Sequence, residues 1–223
     1  LVVNVVGSGT VTKNPNQAMY HYGDEVTLTA TADPGWTFAG WSGDVVSTAN
    51  PLKVIMEGNT IITATFTQDE YTLVVNVVGS GTVTKNPDQS TYHYGDEVTL
   101  TATASPGWTF AGWSGDVVST ANPLKVTMEG NTIITATFTR DEYTLVVNVV
   151  GSGTVTKNPN QATYHYGDEV TLTAIADPGW TFAGWSGDVD SEQNPLQVNI
   201  TEELNLIATF VSKQVVLLPL ILK

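Results

Sequence analysis

Leu1-Val2-Val3-Asn4-Val5-Val6-Gly7-Ser8-Gly9-Thr10-Val11-Thr12-Lys13-Asn14-Pro15 recurs unchanged from Leu73 and again from Leu145. The period is therefore 72 residues. Self-similarity at a fixed spacing is the mark of a repeat architecture. Residues 1–72 differ from residues 73–144 at positions 16, 18, 19, 33, 55 and 68 only. The third copy keeps register without gaps to Phe210 and drifts between Asp190 and Val211. Solenoid repeats usually run about 20–50 residues and need their neighbours. A 72-residue unit is long enough to bury a small core of its own. The expected layout is three β units at 1–70, 71–142 and 143–212, with an apolar tail at 213–223.

Within each unit apolar and polar residues alternate, and β-branched types dominate, which is the mark of half-buried strands. Val26, Leu28 and Ala30 are expected inward, with Thr27, Thr29 and Thr31 outward. Leu52, Val54 and Met56 form a second inward set, and Ile62, Ala64 and Phe66 a third. The copies agree: Ile62 becomes Ile134 and Leu206, whereas outward Ile55 becomes Thr127 and Asn199. Gly7-Ser8-Gly9 reads as a hairpin turn joining residues 1–6 to residues 10–13. Strict alternation would set Trp41 opposite Trp36, and a bulge at Gly40 would return it to the inner face. No window has helical period. The fold class is all-β, mostly antiparallel, with β-grasp-like or small β-sandwich units. The joints Thr67-Gln68-Asp69-Glu70-Tyr71-Thr72 and Thr139-Arg140-Asp141-Glu142-Tyr143-Thr144 hold no Gly, Pro or Ser. Flexible linkers are rich in such residues, so stiff joints and a rod of beads are expected.

The chain carries 8 Lys+Arg against 22 Asp+Glu, a net charge of −14. Such a chain repels phosphate backbones, so nucleic acid is an unsuitable partner. No run reaches the roughly 20 apolar residues of a membrane-spanning helix. The absence of Cys removes disulfides, thiol nucleophiles and thiolate metal sites. A hydrophobic fraction of 41% is that of a folded chain.

Three stretches carry a family likeness. They are residues 72–84, then Tyr22-Gly23-Asp24-Glu25 onward through Gly35-Trp36-Thr37-Phe38-Ala39-Gly40-Trp41 to Asp44, then residues 50–66. They resemble the divergent internalin-type B-repeat family, found in tandem on bacterial cell-surface and secreted proteins. The resemblance spans all three units and is most specific at Gly35–Trp41. It implies a β-grasp-like fold, an extracellular stalk, spacer or adhesive role, and no catalytic residues.

Trp36, Phe38, Trp41 and Phe66, with Trp108, Phe110, Trp113 and Phe138, and Trp180, Phe182, Trp185 and Phe210, read first as core aromatics. Stacking platforms for a glycan or surface glycoprotein are the second reading. Tyr20-His21-Tyr22-Gly23-Asp24-Glu25 reads first as a turn with solvated charges. Loose calcium binding is the alternative there, since calcium prefers oxygen ligands, and no cofactor is otherwise expected. Gly40-Trp41-Ser42-Gly43-Asp44 is not a nucleophile elbow, because Asp44 stands where that motif needs Gly. No catalytic motif emerges, and an enzyme is not expected.

The tail Val215, Val216, Leu217, Leu218, Pro219, Leu220, Ile221 and Leu222 is too short to span a bilayer and too apolar for water. Leu217 falls where a fourth Leu1/Leu73/Leu145 would stand. The outer units are also greasier at expected surface positions than the middle one: Met19 and Ile55 in the first, Ile175, Ile207 and Val211 in the third. Together these residues are the expected self-assembly interface. The tail folds back to cap its own unit, or adds a strand to the first unit of another copy, head to tail, or serves envelope anchoring. Leu1 stands without initiator Met or signal peptide, the look of a mature or trimmed chain.

Overall fold

The computed structural model describes residues 1–213. The first copy of the repeat is six strands: β1 (Val2–Val6), β2 (Gly9–Asn14), β3 (Glu25–Ala32), β4 (Trp36–Gly43), β5 (Leu52–Ile55) and β6 (Ile61–Gln68). The second copy repeats them as β7 (Leu73–Val78), β8 (Gly81–Asn86), β9 (Glu97–Ala104), β10 (Trp108–Gly115), β11 (Leu124–Thr127) and β12 (Thr132–Arg140). The third is β13 (Leu145–Val150), β14 (Gly153–Asn158), β15 (Glu169–Ala176), β16 (Trp180–Gly187), β17 (Leu196–Asn199) and β18 (Leu204–Ser212). By compactness the chain divides into two units. One holds Leu1–Asn76, Val83–Ala102 and Gly112–Ala136; the other holds Val77–Thr82, Thr103–Ala111 and the chain from Thr137.

Each copy makes two three-stranded sheets, in the first copy β1-β6-β4 and β2-β3-β5. The core lies between them. Val26, Leu28 and Ala30 of β3 and Val54 of β5 meet Trp41 of β4 and Ile62, Ala64 and Phe66 of β6. The third copy repeats this core with Leu172, Val198, Trp185 and Leu206. Each fully buried aliphatic side chain contributes about 1.5–3 kcal/mol relative to exposure. Two facing sheets and no helix among the described residues make the unit the small sandwich of the two folds expected.

Gly7-Ser8-Gly9 is not a hairpin. β1 pairs in parallel with β6, Val2 beside Ile61 through Val6 beside Thr65. β2 pairs antiparallel with β3. The three residues therefore carry the chain from one sheet to the other, passing tightly over Phe66. Gly7 has φ +88°, and a β-carbon there would come within 2.3 Å of the Phe66 carbonyl oxygen. One on Gly9 would come within 2.6 Å of the Phe66 ring. The short connection that suggested a hairpin is short because an aromatic core residue lies beneath it.

The aromatic strand has the expected irregularity. β4 runs antiparallel to β6, and its register slips between Phe38 and Gly40. The slip turns Trp41 inward beside the residues of the other sheet, where only 2% of it is exposed. A side chain finishes the opposite sheet. Asn50 Oδ1 accepts from the Ala30 N–H at 2.9 Å, and its Nδ2 donates to the Ala30 carbonyl at 2.7 Å. Asn122 and Asn194 do the same for Ala102 and Ala174.

Candidate functional site

The aromatics are spent largely on one another. Trp41, Trp113 and Trp185 are buried, and so are Phe66, Phe138 and Phe210. The indole N–H of Trp41 donates to the Ala49 carbonyl at 2.8 Å, and those of Trp113 and Trp185 to Ala121 and Gln193. Phe38 meets Trp41 edge-on at 5.0 Å and Phe66 at 5.6 Å. Phe110 meets Phe138 and Phe182 meets Phe210 in the same way, and Phe182 meets Trp185 tilted at 5.1 Å. Phe38, Phe110 and Phe182 are half-buried, as are Trp36, Trp108 and Trp180, which keep part of a ring in solvent.

The Tyr-His-Tyr-Gly-Asp segment is a turn built by its own aspartate. Asp24 Oδ2 accepts from the His21 N–H at 2.7 Å, and the Asp24 carbonyl accepts from the Met56 N–H at 2.8 Å. Asp96 and Asp168 repeat the first bond to His93 and His165. Glu25 points elsewhere and pairs with Lys53 at 2.8 Å. Asp44 Oδ2 likewise accepts from the Ile61 N–H at 2.7 Å, at the start of β6. Among the described residues no three His, Asp or Glu side chains are grouped to hold a metal ion.

The chain's most specific geometry is where one copy meets the next, and it lies within each compact unit. The Asp69 N–H donates to the Gly35 carbonyl at 2.8 Å, steering the chain out of β6. Tyr71 then bridges to Tyr92 of the second copy: each N–H donates to the other's carbonyl, at 2.8 and 2.9 Å. The Thr72 N–H donates to Asn131 Oδ1 at 2.9 Å. Gly35 itself faces Tyr94, so closely that a β-carbon on the glycine would lie 2.2 Å from the tyrosine Cβ. The second joint repeats each element. Asp141 bonds Gly107, Tyr143 bridges Tyr164, and Gly107 would meet the Cβ of Tyr166 at 2.2 Å. Glu203 stands where Asn131 stood, and accepts from both the N–H and the hydroxyl of Thr144. Those bonds hold its carboxyl below the usual range. Burial at the joint, then the Asp69 carboxylate and its hydrogen bond, push the Tyr71 hydroxyl up. Tyr143 is raised in the same way by burial and then by Asp141.

In the first copy the equivalent of this linker seat is an open groove of about 470 Å³, lined by Leu1, Met19–Tyr22 and Met56–Asn59 among others. Tyr22, the counterpart of Tyr94 and Tyr166, is 84% exposed against 44% and 43%.

A family model described as the divergent InlB B-repeat domain matches residues 1–70, 71–142 and 143–214. The chain belongs to that family. B-repeats of this kind are typically associated with the bacterial surface. No curated protein matches the chain. An I-band fragment from titin aligns with 94% of this chain and 94% of its own at 9% identity, with a TM-score of 0.17.

Of the expected assembly residues, these B-repeats place Met19, Ile55, Ile175 and Val211 on the surface. Ile207 is half-buried on β18, beside Asn148 of β13. Met19 lines the first-copy groove, and Ile55 and Ile175 lie on β5 and β15. Val215, Val216, Leu217, Leu218, Pro219, Leu220, Ile221 and Leu222 lie outside the described residues. The joint was missed by sequence reasoning. Gly35 and Tyr94 lie in two separate turns, and nothing in the sequence of either segment pairs them. No helix of the described residues is long and apolar enough to cross a membrane.

Proposed function

We propose that this chain is a non-enzymatic structural protein of the bacterial surface, a stiff spacer that assembles head to tail through its apolar C-terminal strand. One observation carries the reading: the chain leaves its third copy as it leaves the first two. The Lys213 N–H donates to the Gly179 carbonyl at 2.8 Å, matching Asp69 on Gly35 and Asp141 on Gly107. From there, repeat register puts Val215 at the position of Tyr71 and Tyr143, and Leu217 at that of Leu73. The tail thus has the register of a strand entering a further module. Strand addition to a sheet edge is a recognised mode of association. Pro219 suits an edge strand, where one missing N–H costs least. A contact between unlike ends does not close, so it propagates. The first copy offers an edge strand, β1, and the open groove beside it. Stiffness follows from linkers without Gly, Pro or Ser that are bonded into the next copy at each joint.

Light scattering tests this. The full chain is expected to show mass well above 23.8 kDa, and deletion of residues 215–223 to return it to a monomer. A monomeric full chain whose tail amides are protected from exchange would instead mean fold-back capping, and would end the assembly reading.

Adhesion to a glycan is the second reading, favoured only by the half-exposed rings of Trp36, Trp108 and Trp180. It predicts quenching of tryptophan fluorescence by a glycan panel, unchanged by loss of the tail.

A further inference from the structure

We infer that each copy is a tension clamp: stretching the chain along its length loads the β1–β6 ladder and its two equivalents in shear, so the copies stay folded under pull. The inference goes beyond the assembly reading and stands without it, because it concerns force carried within one chain.

The direction of two strands carries the argument. The chain enters the first copy through β1 and leaves it through β6. The two lie side by side and run parallel, Val2 beside Ile61 through Val6 beside Thr65. Parallel neighbours set entry and exit at opposite ends of one ladder. A pull on the chain therefore drives β1 and β6 past each other along their own axes. The ladder bonds cross from strand to strand, so this slide strains them together, whereas a pull across the strands would open them singly. The third copy repeats the pairing, Leu145 beside Leu204 through Val150 beside Thr209, and the second keeps the same strand order. β1 has no other strand neighbour in its sheet, so β6 alone holds it there.

The slide also meets a stop. Past Val6 the chain crosses to the other sheet over Phe66, whose side chain is buried in the core. A β-carbon on Gly7 would lie 2.3 Å from the Phe66 carbonyl oxygen, and one on Gly9 2.6 Å from its ring. Drawing β1 back toward its start pulls this crossing onto Phe66. Gly79 and Gly81 pass over Phe138, and Gly151 and Gly153 over Phe210, with the same closeness. A slip of one residue would in addition turn half-buried Val3 outward and exposed Asn4 inward.

Stretching single molecules of the full chain from its two ends at constant force tests the clamp. The expected record is one long-lived step per copy, each releasing about 200 Å, the extended length from Val2 to Gln68 less its folded span. Asn4→Pro removes one bond of the first ladder. The Val2 N–H donates to the Thr60 carbonyl at 2.9 Å, and the next N–H turned toward β6 is that of Asn4. One step should then come about tenfold sooner, with the others unchanged. Val5→Pro loses an N–H that faces the open edge and should keep the dwell times of the wild type. Gly58→Cys gives a second handle in a chain with no cysteine of its own, at a position where a β-carbon meets nothing within 4 Å. Pulled between Leu1 and position 58, both at the start of the ladder, the first copy should open at a clearly lower force than in end-to-end pulling. Equal forces in the two directions, or equal shortening by the two prolines, would overturn the clamp. The comparison of directions leaves the ladder unaltered, so it decides even where Asn4→Pro keeps the first copy from folding.

Discussion

Gly107 and Tyr166 stand so close that the glycine has no space for a methyl group. The two residues are 59 positions apart and belong to successive copies. Their contact explains why a Pro-Gly turn on the rim of one sandwich must keep its glycine for the sake of the next.

Gly107→Ala should therefore be costlier than Gly179→Ala. Both place a side chain on a left-handed backbone, at about 1–2 kcal/mol each. Only Gly107→Ala adds overpacking at a joint, a further ~1–3 kcal/mol. Thermal unfolding of the two variants measures the difference. Equal losses would mean that the joint yields freely and contributes no rigidity.

Asn50 should matter more than an exposed loop residue. Its amide closes on both backbone groups of Ala30, donor to acceptor in each direction. Asn50→Asp keeps the size but turns the donor into an acceptor facing the Ala30 carbonyl. A loss of about 1–3 kcal/mol is expected from the unpaired and repelled groups. Denaturant unfolding with hydrogen exchange at Ala30 reads it, and an unchanged exchange rate there would contradict the bidentate role.

Trp41 separates packing from ligand binding. It is 2% exposed, and its indole N–H is bonded within its own loop. Trp41→Ala should cost about 3–5 kcal/mol, with the loss confined to exchange protection in the first copy. A variant that kept its stability but lost binding to a glycan would reverse this assignment.

The inside and outside of the strands could be read from period two alone, because a one-residue slip would turn Val26, Leu28 and Ala30 to water. The inward position of Trp41 could be read too, since Gly40 signalled the bulge. The pairing of strands could not. A glycine-flanked serine looks the same whether the chain doubles back or crosses to a facing sheet, and the residue that decides, Phe66, lies far along the chain. The joint was hidden for a related reason. Gly35 and Tyr94 each sit in a turn whose local chemistry is complete, and their meeting depends on how two finished copies abut.

Tyr143 gives the joint a pH signature. Burial first, then Asp141, the neighbouring Tyr166, the hydrogen bond from the phenol to Asp141, and Glu203 all raise its hydroxyl above the ordinary value of 10.0. The neutral form is thus favoured in the folded chain more than in the unfolded one. This contribution is fully present below the unfolded pKa and is lost as pH rises through the folded one. Tyr143→Phe has no proton to lose. The wild-type chain should therefore lose stability relative to that variant as pH rises above about 10. Asp141→Asn should bring the Tyr143 titration, followed by ultraviolet absorbance, back toward the ordinary phenol. Parallel stability curves for wild type and Tyr143→Phe across that range would show that Tyr143 titrates alike in both states, and that the second joint does not hold its proton.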